Sequence, residues 1–588
     1  MYCHFKPFLL CCAAAALTLT PAALVAQEAP APANTLLRVP PALEGNRAPF
    51  EVAFTPDGSR ALVTEFDEGT LAVIDTVSGK VLQHLSTGGK EPTGVAVTPD
   101  GARALVTNSF SGSFAVIALA SGKVSVLPLL GAPYDVVVSP DGTTAYVSVS
   151  QLDHVAVIDL AELKVTTRIP TGRRPRALDL TPDGKTLVSA NLQQGSVTFI
   201  DTAARTATAQ GPTPAVNLRG VVVYPDGRLA YCVGQRAQNE RPTETAVGIW
   251  SNQSFHVRPN GGRNGAENIW LDFIGKDVSD PDSVVFAPAR QRVFITCMGG
   301  HSVNVLPLRG GDPKVVRGVG ACPKGLAFTP DGREVWVANH LGNSVAVIDP
   351  TSLEVKRRID LGPASWRDPN LLGRYLFSTA TLTRGEQFSC NSCHPDGATD
   401  GIAWKFVHVP DAFGKEVNRN VRSLRGGVRE SPPYRWTGHE KDLDEFVQHE
   451  VVGLLQSPKL EAAQATAIVD YLHSLRLTPN PYRNPDQSLT EAAVRGKGLF
   501  TGKAGCAECH TGPLFGGQRK AWIGTTPPGV DLDVPHLAGV YDTDPYLHDG
   551  RATSLPEIFE KDPQKLHGNT GVLTPEELKD LLQFVREL

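Results

Sequence analysis

A repeat of about 42 residues constrains the fold of this chain more than any other feature of its sequence. In most units apolar and polar residues alternate on both sides of a Pro-Asp-Gly turn, as in EVAFTPDGSRALVTEFDEGTLAVID. Alternation with a period of two is typical of strands, and Pro-Asp-Gly is typical of the turn between them. The turn proline recurs at Pro56, Pro99, Pro140, Pro182, Pro225, Pro288 and Pro330. Seven units, each long enough for four strands, predict an all-β, seven-bladed propeller.

The sequence pattern of the repeat, TPDG followed by YV, N, G and VAVID, resembles that of the YVTN-type propellers. The resemblance covers about half of the chain and is specific at the level of the fold. It implies little about activity, because function depends on sites rather than on folds. We expect the propeller at residues 40–361. A solenoid of stacked strands is the alternative, and the closed count of seven units disfavours it.

The spacing between the fifth and sixth turn prolines is longer than the others by about 20 residues. The extra residues lie in a polar, Gly- and Asn-rich stretch that carries Trp250, His256 and Trp270. Aromatic residues on a long loop can form a surface for a partner. The alternative is a loop whose tryptophans pack against the rim of the propeller. Both interpretations stay open at this point.

The second half contains the motif C-x-x-C-H twice, in FSCNSCHPDG and GCAECHTG. With 10 Cys and 15 His in 588 residues, two copies by chance are negligible. A structural zinc site would need a second ligand pair, and a redox C-x-x-C site does not need the adjacent His. C-x-x-C-H is typical of haem c, in which both Cys form thioethers and the His binds the iron. We predict two haem c groups, attached at Cys390, Cys393, Cys506 and Cys509, with His394 and His510 as proximal ligands.

The N-terminus predicts the compartment. Residues 1–26 contain a cation, an apolar run and then small residues, which is typical of a secretory signal peptide. Because haem c is attached after export, we expect a periplasmic protein. No later stretch approaches the roughly 18 apolar residues of a membrane span. A net charge of −5 with mixed signs argues against nucleic acid or an anionic membrane as partner.

Three cysteines lie outside the two motifs and the signal peptide, namely Cys232, Cys297 and Cys322. A disulfide between Cys297 and Cys322 would leave Cys232 as a free thiol. Three buried thiols on strands are the alternative, since free Cys is among the most buried residue types. The sequence leaves both interpretations open, because disulfide formation depends on geometry.

The part of the chain after the propeller is itself duplicated. An apolar helix-like segment precedes each C-x-x-C-H motif, and IVDYLHSL and LLQFVREL close the two halves with apolar residues at helical spacing. VRSLRGGVRESPPYRWTGHEKDLDEF also aligns with VPHLAGVYDTDPYLHDGRATSLPEIF, with a shift of one residue. We therefore expect two mainly α cytochrome c-type domains, at residues 362–485 and 486–588.

The ligand opposite each proximal His determines the chemistry of a haem. The chain has two methionines, Met1 and Met298, and neither lies in the duplicated part. Histidine and tyrosine are the remaining candidates: His408, His439, His449, His473, His536, His548, His567, Tyr541 and Tyr546. We single out His408, which lies 14 residues after His394, and His567, which lies in a loop before the last helix.

Residues 370–588 resemble the bacterial di-haem cytochrome c peroxidase and MauG family. The motifs that carry the resemblance are the paired C-x-x-C-H, PPYRWTGH, VPHLAGV and DPYLHDGRATSLPEIF. The resemblance implies that Trp436 relays electrons between the haems and that peroxide reacts at the first haem. It also implies a Met or Tyr ligand for the second haem from the loop that here contains His567. A Ca²⁺ ion between the haems is a further cofactor that the sequence does not decide.

The chain departs from the family pattern where peroxide would react. The family has a Gln and a Glu downstream of the Trp, and by spacing these positions hold Phe446 and Gln456. Glu450 is the nearest acid. Peroxide cleavage needs a group that moves a proton between the two oxygens, so these changes put peroxidase activity in question. The alternative role for Trp436 is packing, since the equivalent position in the second half is His548.

These observations favour a periplasmic di-haem oxidoreductase with peroxide or oxygen activation at one haem. The propeller would bind a partner, either a redox protein or a protein substrate. Two other functions fit the same motifs: a pure electron-transfer protein with both irons six-coordinate, and a binding protein whose haems sense redox state. An open iron site distinguishes the enzyme from both alternatives.

Overall fold

Seven four-stranded antiparallel sheets follow one another along the first part of the chain. The structure is a computed structural model that describes residues 46–193, 195–240, 249–259, 269–289, 291–362, 368–406, 418–426, 428, 431–516, 519–526, 528–561 and 566–588. The predicted signal peptide and His408 lie outside the described residues. From Pro41 to Leu588 the chain forms one compact unit, which contains the sheets and the helices that follow them.

Each sheet is built from four consecutive strands, so each is one propeller blade. The first four blades are Pro49–Phe54, Arg60–Glu65, Thr70–Asp75 and Val81–Ser86 (β1–β4); Pro92–Val97, Arg103–Asn108, Ser113–Ala118 and Val124–Pro128 (β5–β8); Pro133–Val138, Thr144–Val149, His154–Asp159 and Lys164–Pro170 (β9–β12); and Pro175–Leu180, Thr186–Asn191, Ser196–Asp201 and Thr206–Pro212 (β13–β16). The last three are Val216–Val223, Ala230–Ala237, Trp250–Val257 and Ile269–Trp270 (β17–β20); Pro281–Phe286, Arg292–Cys297, Ser302–Pro307 and Lys314–Val316 (β21–β24); and Pro323–Phe328, Val335–Asn339, Ser344–Ile348 and Val355–Asp360 (β25–β28).

The Pro-Asp-Gly turn joins the first two strands of a blade. In the first blade the Asp57 carboxylate accepts hydrogen bonds from Thr55 Oγ1 at 2.6 Å and from Ser59 N at 3.0 Å. These bonds, the one from Thr55 foremost, lower the pKa of Asp57 to about 2. Gly58 follows with a φ of +70°, which glycine adopts without steric cost. The same side-chain pattern recurs at Asp100, Asp141, Asp183 and Asp331.

Apolar clusters between neighbouring blades close the ring. Each of seven buried clusters joins two adjacent blades. The one that joins the last blade to the first packs Val52 and Ala61 against Trp336 and Val347. A stack with free ends would leave this surface exposed, so the fold is a closed seven-bladed propeller and the solenoid alternative is wrong.

The long spacing in the repeat falls in the fifth blade, and much of it lies outside the described residues. Trp250 and His256 lie on β19, and Trp270 ends the short strand β20 of that blade, so these three residues are in strands rather than in the expected loop. Trp250 is completely buried, and its indole packs against Trp404 of the helical region with ring centres 5.1 Å apart. β19 therefore places an aromatic side chain in an interface between two parts of the chain.

A helical region follows the propeller. Its α-helices are Pro369–Ser378, Cys390–Cys393, Leu443–Gly453, Ala462–Ser474, Glu491–Thr501, Leu555–Glu560 and Pro575–Arg586 (α1–α7). Two short strand pairs accompany them, Ala403–Trp404 with Arg419–Asn420 (β29, β30) and Lys520–Ala521 with Leu532–Asp533 (β31, β32). In the part of the chain that the structure describes, no helix is long and apolar enough to cross a membrane.

The helical region repeats its own packing. α1 crosses α4 so closely that a Cβ on Gly373 would lie 1.8 Å from the Ala467 carbonyl oxygen. In the second half α5 crosses α7 in the same way, and a Cβ on Gly496 would lie 2.0 Å from the Asp580 carbonyl oxygen. Only glycine permits either crossing. The two halves thus share a close helix crossing at a glycine as well as the C-x-x-C-H motif.

The three cysteines outside the motifs are free, buried thiols in the structure. Cys297 accepts a hydrogen bond from Asn304 Nδ2 at 3.0 Å, and burial raises the pKa of the Cys322 thiol to about 12. The disulfide between Cys297 and Cys322 that the sequence left open is not formed. Burial is the largest cause of the raised pKa of all three thiols, which makes them unreactive packing residues.

Candidate functional site

Each C-x-x-C-H motif lies in the wall of its own largely apolar cavity. The first cavity, of about 210 Å³, is lined by Cys390, Cys393 and His394 together with side chains from α3 and α4. The second, of about 220 Å³, is lined by Cys506, Cys509 and His510 together with side chains from residues 532–548, 555–559 and 566–568. Each motif thus faces an apolar cavity of its own, in which its cysteines and histidine could hold one haem.

Backbone carbonyls orient the two motif histidines in the same way. His394 Nδ1 lies 3.2 Å from the Ala398 carbonyl oxygen, and His510 Nδ1 lies 3.1 Å from that of Phe515. This contact assigns the proton to Nδ1 and leaves the lone pair on Nε2. Burial lowers the pKa of both imidazoles to about 4, so both are neutral at pH 7. A neutral imidazole with its lone pair on Nε2 is the form that binds iron.

A second histidine faces His510 across the second cavity. The ring centres of His510 and His567 lie 6.3 Å apart, with 28° between the ring planes. Because imidazole nitrogen binds a transition metal at about 2.0 to 2.1 Å, two axial imidazoles place their ring centres roughly 6 to 6.5 Å apart. The separation of these two histidines therefore fits two ligands on opposite sides of one iron.

The first cavity has a different lining opposite its motif. α3 contributes Phe446 and Glu450, and Glu450 Oε1 accepts a hydrogen bond from Arg435 NH1 at 2.6 Å. The Arg435 guanidinium also lies 4.7 Å from the ring centre of Phe446. Among the described lining residues, His394 and His536 are the histidines. This cavity thus combines largely apolar walls with the pair of Arg435 and Glu450 and with the arginines Arg419 and Arg422.

The remaining ligand candidates have other contacts. His449 Nδ1 lies 2.6 Å from Glu440 Oε1 at the outer side of α3. Tyr541 donates its hydroxyl to the Thr478 carbonyl at 2.7 Å, and Tyr546 donates to that of Val540 at 3.2 Å. Described residues that line neither motif cavity are His439, His449, His473 and Met298. Gln456 is also absent from the described lining of the first cavity. Its side-chain amide oxygen accepts a hydrogen bond from Arg384 NH1 at 3.3 Å.

Trp436 lies in the wall that the two cavities share. It lines both of them, as do Asn420, Arg422 and His536. Its indole Nε1 donates to the Asn420 carbonyl at 2.9 Å, and its ring meets His548 edge to face at 6.4 Å. The two residues that the duplication aligns are therefore direct neighbours, and Trp436 lies between the two motif cavities.

The first motif, unlike the second, forms hydrogen bonds with the propeller. Asn217 Nδ2 donates to the Ser392 carbonyl at 2.7 Å, within α2. The fully buried Asp280 carboxylate accepts from Ser392 Oγ at 2.6 Å and from Ser389 Oγ at 2.8 Å. Trp250 Nε1 donates to Cys393 Sγ at 3.3 Å. In the second motif, by contrast, Glu508 is exposed and both cysteines are half-buried.

An ion pair anchors the loop that follows His394 in the mouth of the propeller. Asp396 accepts from Arg176 of β13, which is 6 % exposed. Burial alone would raise the pKa of Asp396, but Arg176, Lys324 and Arg219 lower it well below its usual range. Sequence reasoning missed these three cations. Arg176 and Lys324 each follow a proline that begins an inner strand, and this shared register was a signal that they face the propeller axis.

Comparison with known proteins identifies both parts of the chain. The family model described as "Lactonase, 7-bladed beta-propeller" matches residues 131–217, and the model described as "Cytochrome c" matches residues 493–588. The predicted seven-bladed propeller is thereby confirmed, and the chain carries at least one c-type haem in its C-terminal part. A second c-type domain is not covered by these matches.

Three relatives place the chain among redox proteins. Hydrazine synthase subunit gamma of Kuenenia stuttgartiensis is 27 % identical over 274 residues, which cover 37 % of this chain and 76 % of the relative. Cytochrome c551 peroxidase of Nitrosomonas europaea is 25 % identical over 237 residues, covering 32 % and 71 %. Methylamine utilization protein MauG of Methylorubrum extorquens is 24 % identical over 280 residues, covering 37 % and 77 %. The chain is thus a cytochrome c-containing redox protein, distantly related to all three.

The anchoring ion pair can be measured by a double-mutant cycle. We expect Arg176→Met and Asp396→Asn to show a coupling energy of about 2 to 3 kcal/mol, because each single change leaves a buried charge unpaired. Denaturant unfolding of wild type, both single variants and the double variant gives the value. The exposed pair Asp183 and Lys185 of the same blade is the control, with an expected coupling below about 1 kcal/mol. Equal coupling energies at the two sites would contradict the anchoring role.

Proposed function

We propose that this protein is a di-haem c-type oxidoreductase in which the two haems have different tasks. The observation that carries the proposal is the contrast between the two cavities. In the second, the rings of His567 and His510 lie at a distance that suits two ligands of one iron. In the first, the described ring contact of His394 is with Phe377, and Arg435 and Glu450 lie in the cavity wall. One site is built for electron transfer, and the other leaves room for a small substrate.

The haem groups would be held by the residues that the motifs predict. Cys390 and Cys393 would attach the first and Cys506 and Cys509 the second, with His394 and His510 as proximal ligands. When bound, each haem supplies an iron that can accept and donate single electrons. Residues 362–485 and 486–588 would then be two c-type domains that follow the propeller at residues 40–361. The repeated helix crossings at Gly373 and Gly496 support this duplication.

Electrons would enter at the second site and leave at the first. The second motif lies near the surface, and the apolar side chain of Leu566, which lines its cavity, is 44 % exposed. An exposed apolar side chain beside a redox site would add to the surface on which a redox partner protein binds briefly. Trp436 would relay the electron, because its indole lines both cavities. The hydrogen bond from its Nε1 to Asn420 keeps the ring in that position.

Peroxide is the substrate that the first cavity fits best. Its reduction to two waters consumes two electrons and two protons, so a nearby acid–base group is needed. Glu450 would take the proton from one peroxide oxygen and return it to the other. Arg435, 2.6 Å from Glu450, would stabilise the negative charge that develops on the leaving oxygen. These two residues would do the work that the family assigns to its Gln and Glu.

The position of the first motif restricts where a protein partner can bind. α2 and the loop after His394 occupy the mouth of the propeller, so a protein substrate docked on the propeller would use its outer surface. Hydrazine synthase subunit gamma is by its name part of a larger assembly. By this relationship we propose protein partners for the present chain as well. The predicted signal peptide and the post-export attachment of haem c support a periplasmic location.

Ca²⁺ receives little support from the site. The Asn420 side-chain oxygen is buried in the shared wall without a hydrogen-bond partner among the described residues. Ca²⁺ takes about six to eight oxygen ligands. Within the described ranges, no group of three or more His, Cys, Asp and Glu side chains is arranged for a metal ion. One amide oxygen does not make such a site, and the proposal does not include Ca²⁺.

Haem stoichiometry tests the assignment of both motifs. We expect two covalently bound haems per chain, because each motif faces a separate apolar cavity. Intact-mass spectrometry of protein purified from the periplasm measures the number. Replacing Cys390 and Cys393 by Ala, or Cys506 and Cys509 by Ala, should each remove one haem. Replacing the buried Cys232 by Ala is the control and should remove none. A wild-type mass with fewer than two haems would contradict the assignment.

Peroxide turnover tests the proposed reaction. We expect the wild-type protein, supplied with an electron donor, to consume hydrogen peroxide. Glu450→Gln should lower kcat by a factor of about 10² to 10⁴, because it removes the acid–base group. Trp436→Phe should slow electron transfer from the second haem to the first in stopped-flow measurements. The exposed residues Glu445 on α3 and Trp522 provide matched controls, Glu445→Gln and Trp522→Phe.

Three results would oppose parts of this reaction. Absence of peroxide consumption by the wild-type protein would favour a pure electron-transfer protein. Equal turnover of Glu450→Gln and wild type would exclude Glu450 as the acid–base group. Unchanged electron transfer in Trp436→Phe would leave Trp436 a packing residue.

A further inference from the structure

The mouth of the propeller contains a polar cavity that the proposed reaction does not use. It has a volume of about 580 Å³ and lies between the inner strands of the propeller and the loop that follows His394. Lys324 and Arg176 of the propeller line it, and Asn391 and Asp396 of the helical region lie opposite. It is separate from both motif cavities, whose walls are mainly apolar.

Cations outnumber carboxylates around the inner end of this cavity. Arg176, Arg219 and Lys324 are 6 %, 5 % and 3 % exposed. Asp396 pairs with Arg176, and the single Asp282 carboxylate lies 3.7 Å from Arg219 and 3.8 Å from Lys324. Three cations thus share two carboxylates. A buried charge that lacks its own counter-charge is costly, so this cluster favours a bound anion.

Two further carboxyl groups, those of Glu51 and Asp135, lie nearby on the inner strands. Both accept hydrogen bonds from backbone N–H groups. Glu51 accepts a hydrogen bond from Val52 N, and burial, with a smaller contribution from Asp135, raises its pKa to about 8. Asp135 accepts from Val136 N and from Leu178 N of the next blade. Glu51 is therefore mostly neutral near pH 7, and Asp135 is held by the backbone.

Hydrogen bonding shows the same imbalance as charge. Lys324 Nζ, Arg219 Nε, Arg176 Nε and Asn391 Nδ2 are buried donor atoms without a hydrogen-bond partner among the described residues. Two buried acceptors are in the same condition, Asp282 Oδ1 and Gln151 Oε1 of the cavity lining, so unpartnered donors remain in excess. Lys324 Nζ instead lies 4.5 Å from the ring centre of Phe50. Buried donors in excess call for a bound acceptor, and the surplus positive charge makes an anion a better match than water.

We propose that this cavity binds a small inorganic oxyanion, held by the Lys324 ammonium and the Asn391 side-chain amide in the positive potential of Arg176 and Arg219. Oxyanions present several acceptor oxygens, which suits donors that come from different directions. The exposed lining residues carry both signs, Lys90 and Arg476 with Asp67 and Glu68, so the attraction for an anion comes from the buried cations. The site needs no haem chemistry, so it stands independently of the proposed reaction.

Calorimetry of the full-length holoprotein tests the site. Sodium nitrate and sodium sulfate are titrated separately into the protein in a zwitterionic buffer without other salts. We expect saturable binding of at least one of them, and at least ten-fold weaker binding to Lys324→Met. Lys314→Met removes the same charge from an exposed position on β24 and should leave the affinity unchanged. Because the heat reports binding alone, failure of the peroxide reaction would not affect this result.

Asn391→Asp is a second, nearly isosteric variant that places a negative charge at the site. It should abolish binding, and it decides the matter if Lys324→Met does not fold. Absence of saturable binding by the wild-type protein would mean that the cavity holds water only, and it would overturn the proposal. Equal affinity of wild type and Asn391→Asp would do the same. Sodium acetate is the third probe, and tighter binding of acetate than of nitrate and sulfate would overturn the assignment to an inorganic oxyanion.

Discussion

The buried ion pair between Arg176 and Asp396 is the interaction on which the arrangement of this protein depends. A buried carboxylate is costly unless opposite charges and hydrogen bonds compensate for its lost hydration. Here Arg176 forms the pair, and Lys324 and Arg219 add positive potential. If the loop after His394 left the mouth of the propeller, these cations would lose the Asp396 carboxylate. The propeller and the first motif are therefore held together by electrostatics that neither part satisfies alone.

Because the first motif lies in the mouth of the propeller, the two C-x-x-C-H motifs have different surroundings. The first is enclosed by Asn217, Asp280 and Trp250 of the propeller, and the second lies at the surface with Glu508 exposed. Hydrogen bonds to ligand residues and exclusion of water both change the reduction potential of a haem. Two halves of similar packing thus have different environments, and the difference comes from the propeller rather than from the duplicated helices.

What the sequence predicted well was local or repeated. The blade unit recurs with its own turn chemistry at Asp57 and its equivalents, so a single chain was enough to predict a seven-bladed ring. C-x-x-C-H is equally local, because two thiols and an imidazole must meet one haem. The assignment of His567 as an iron ligand stays a prediction; the structure places its ring centre 6.3 Å from that of His510.

What the sequence did not predict were contacts between distant parts of the chain. Trp250 lies in a stretch that we expected to be a loop, yet it is buried on β19 against Trp404, more than 150 residues later. No periodic pattern reports such a contact, since it depends on which blade faces the helices. Asp396 shows the same limitation. It reads as an ordinary turn residue until the cations of the propeller mouth are seen around it.

Electron paramagnetic resonance of the oxidised holoprotein at low temperature tests most directly whether the two haems differ in ligation. The account predicts one low-spin signal from a haem with two histidine ligands and one high-spin signal from a haem without a strong ligand opposite His394. His567→Ala should remove the low-spin signal, and His473→Ala, outside the described lining of both cavities, should not. Two low-spin signals that both persist in His567→Ala would contradict the account.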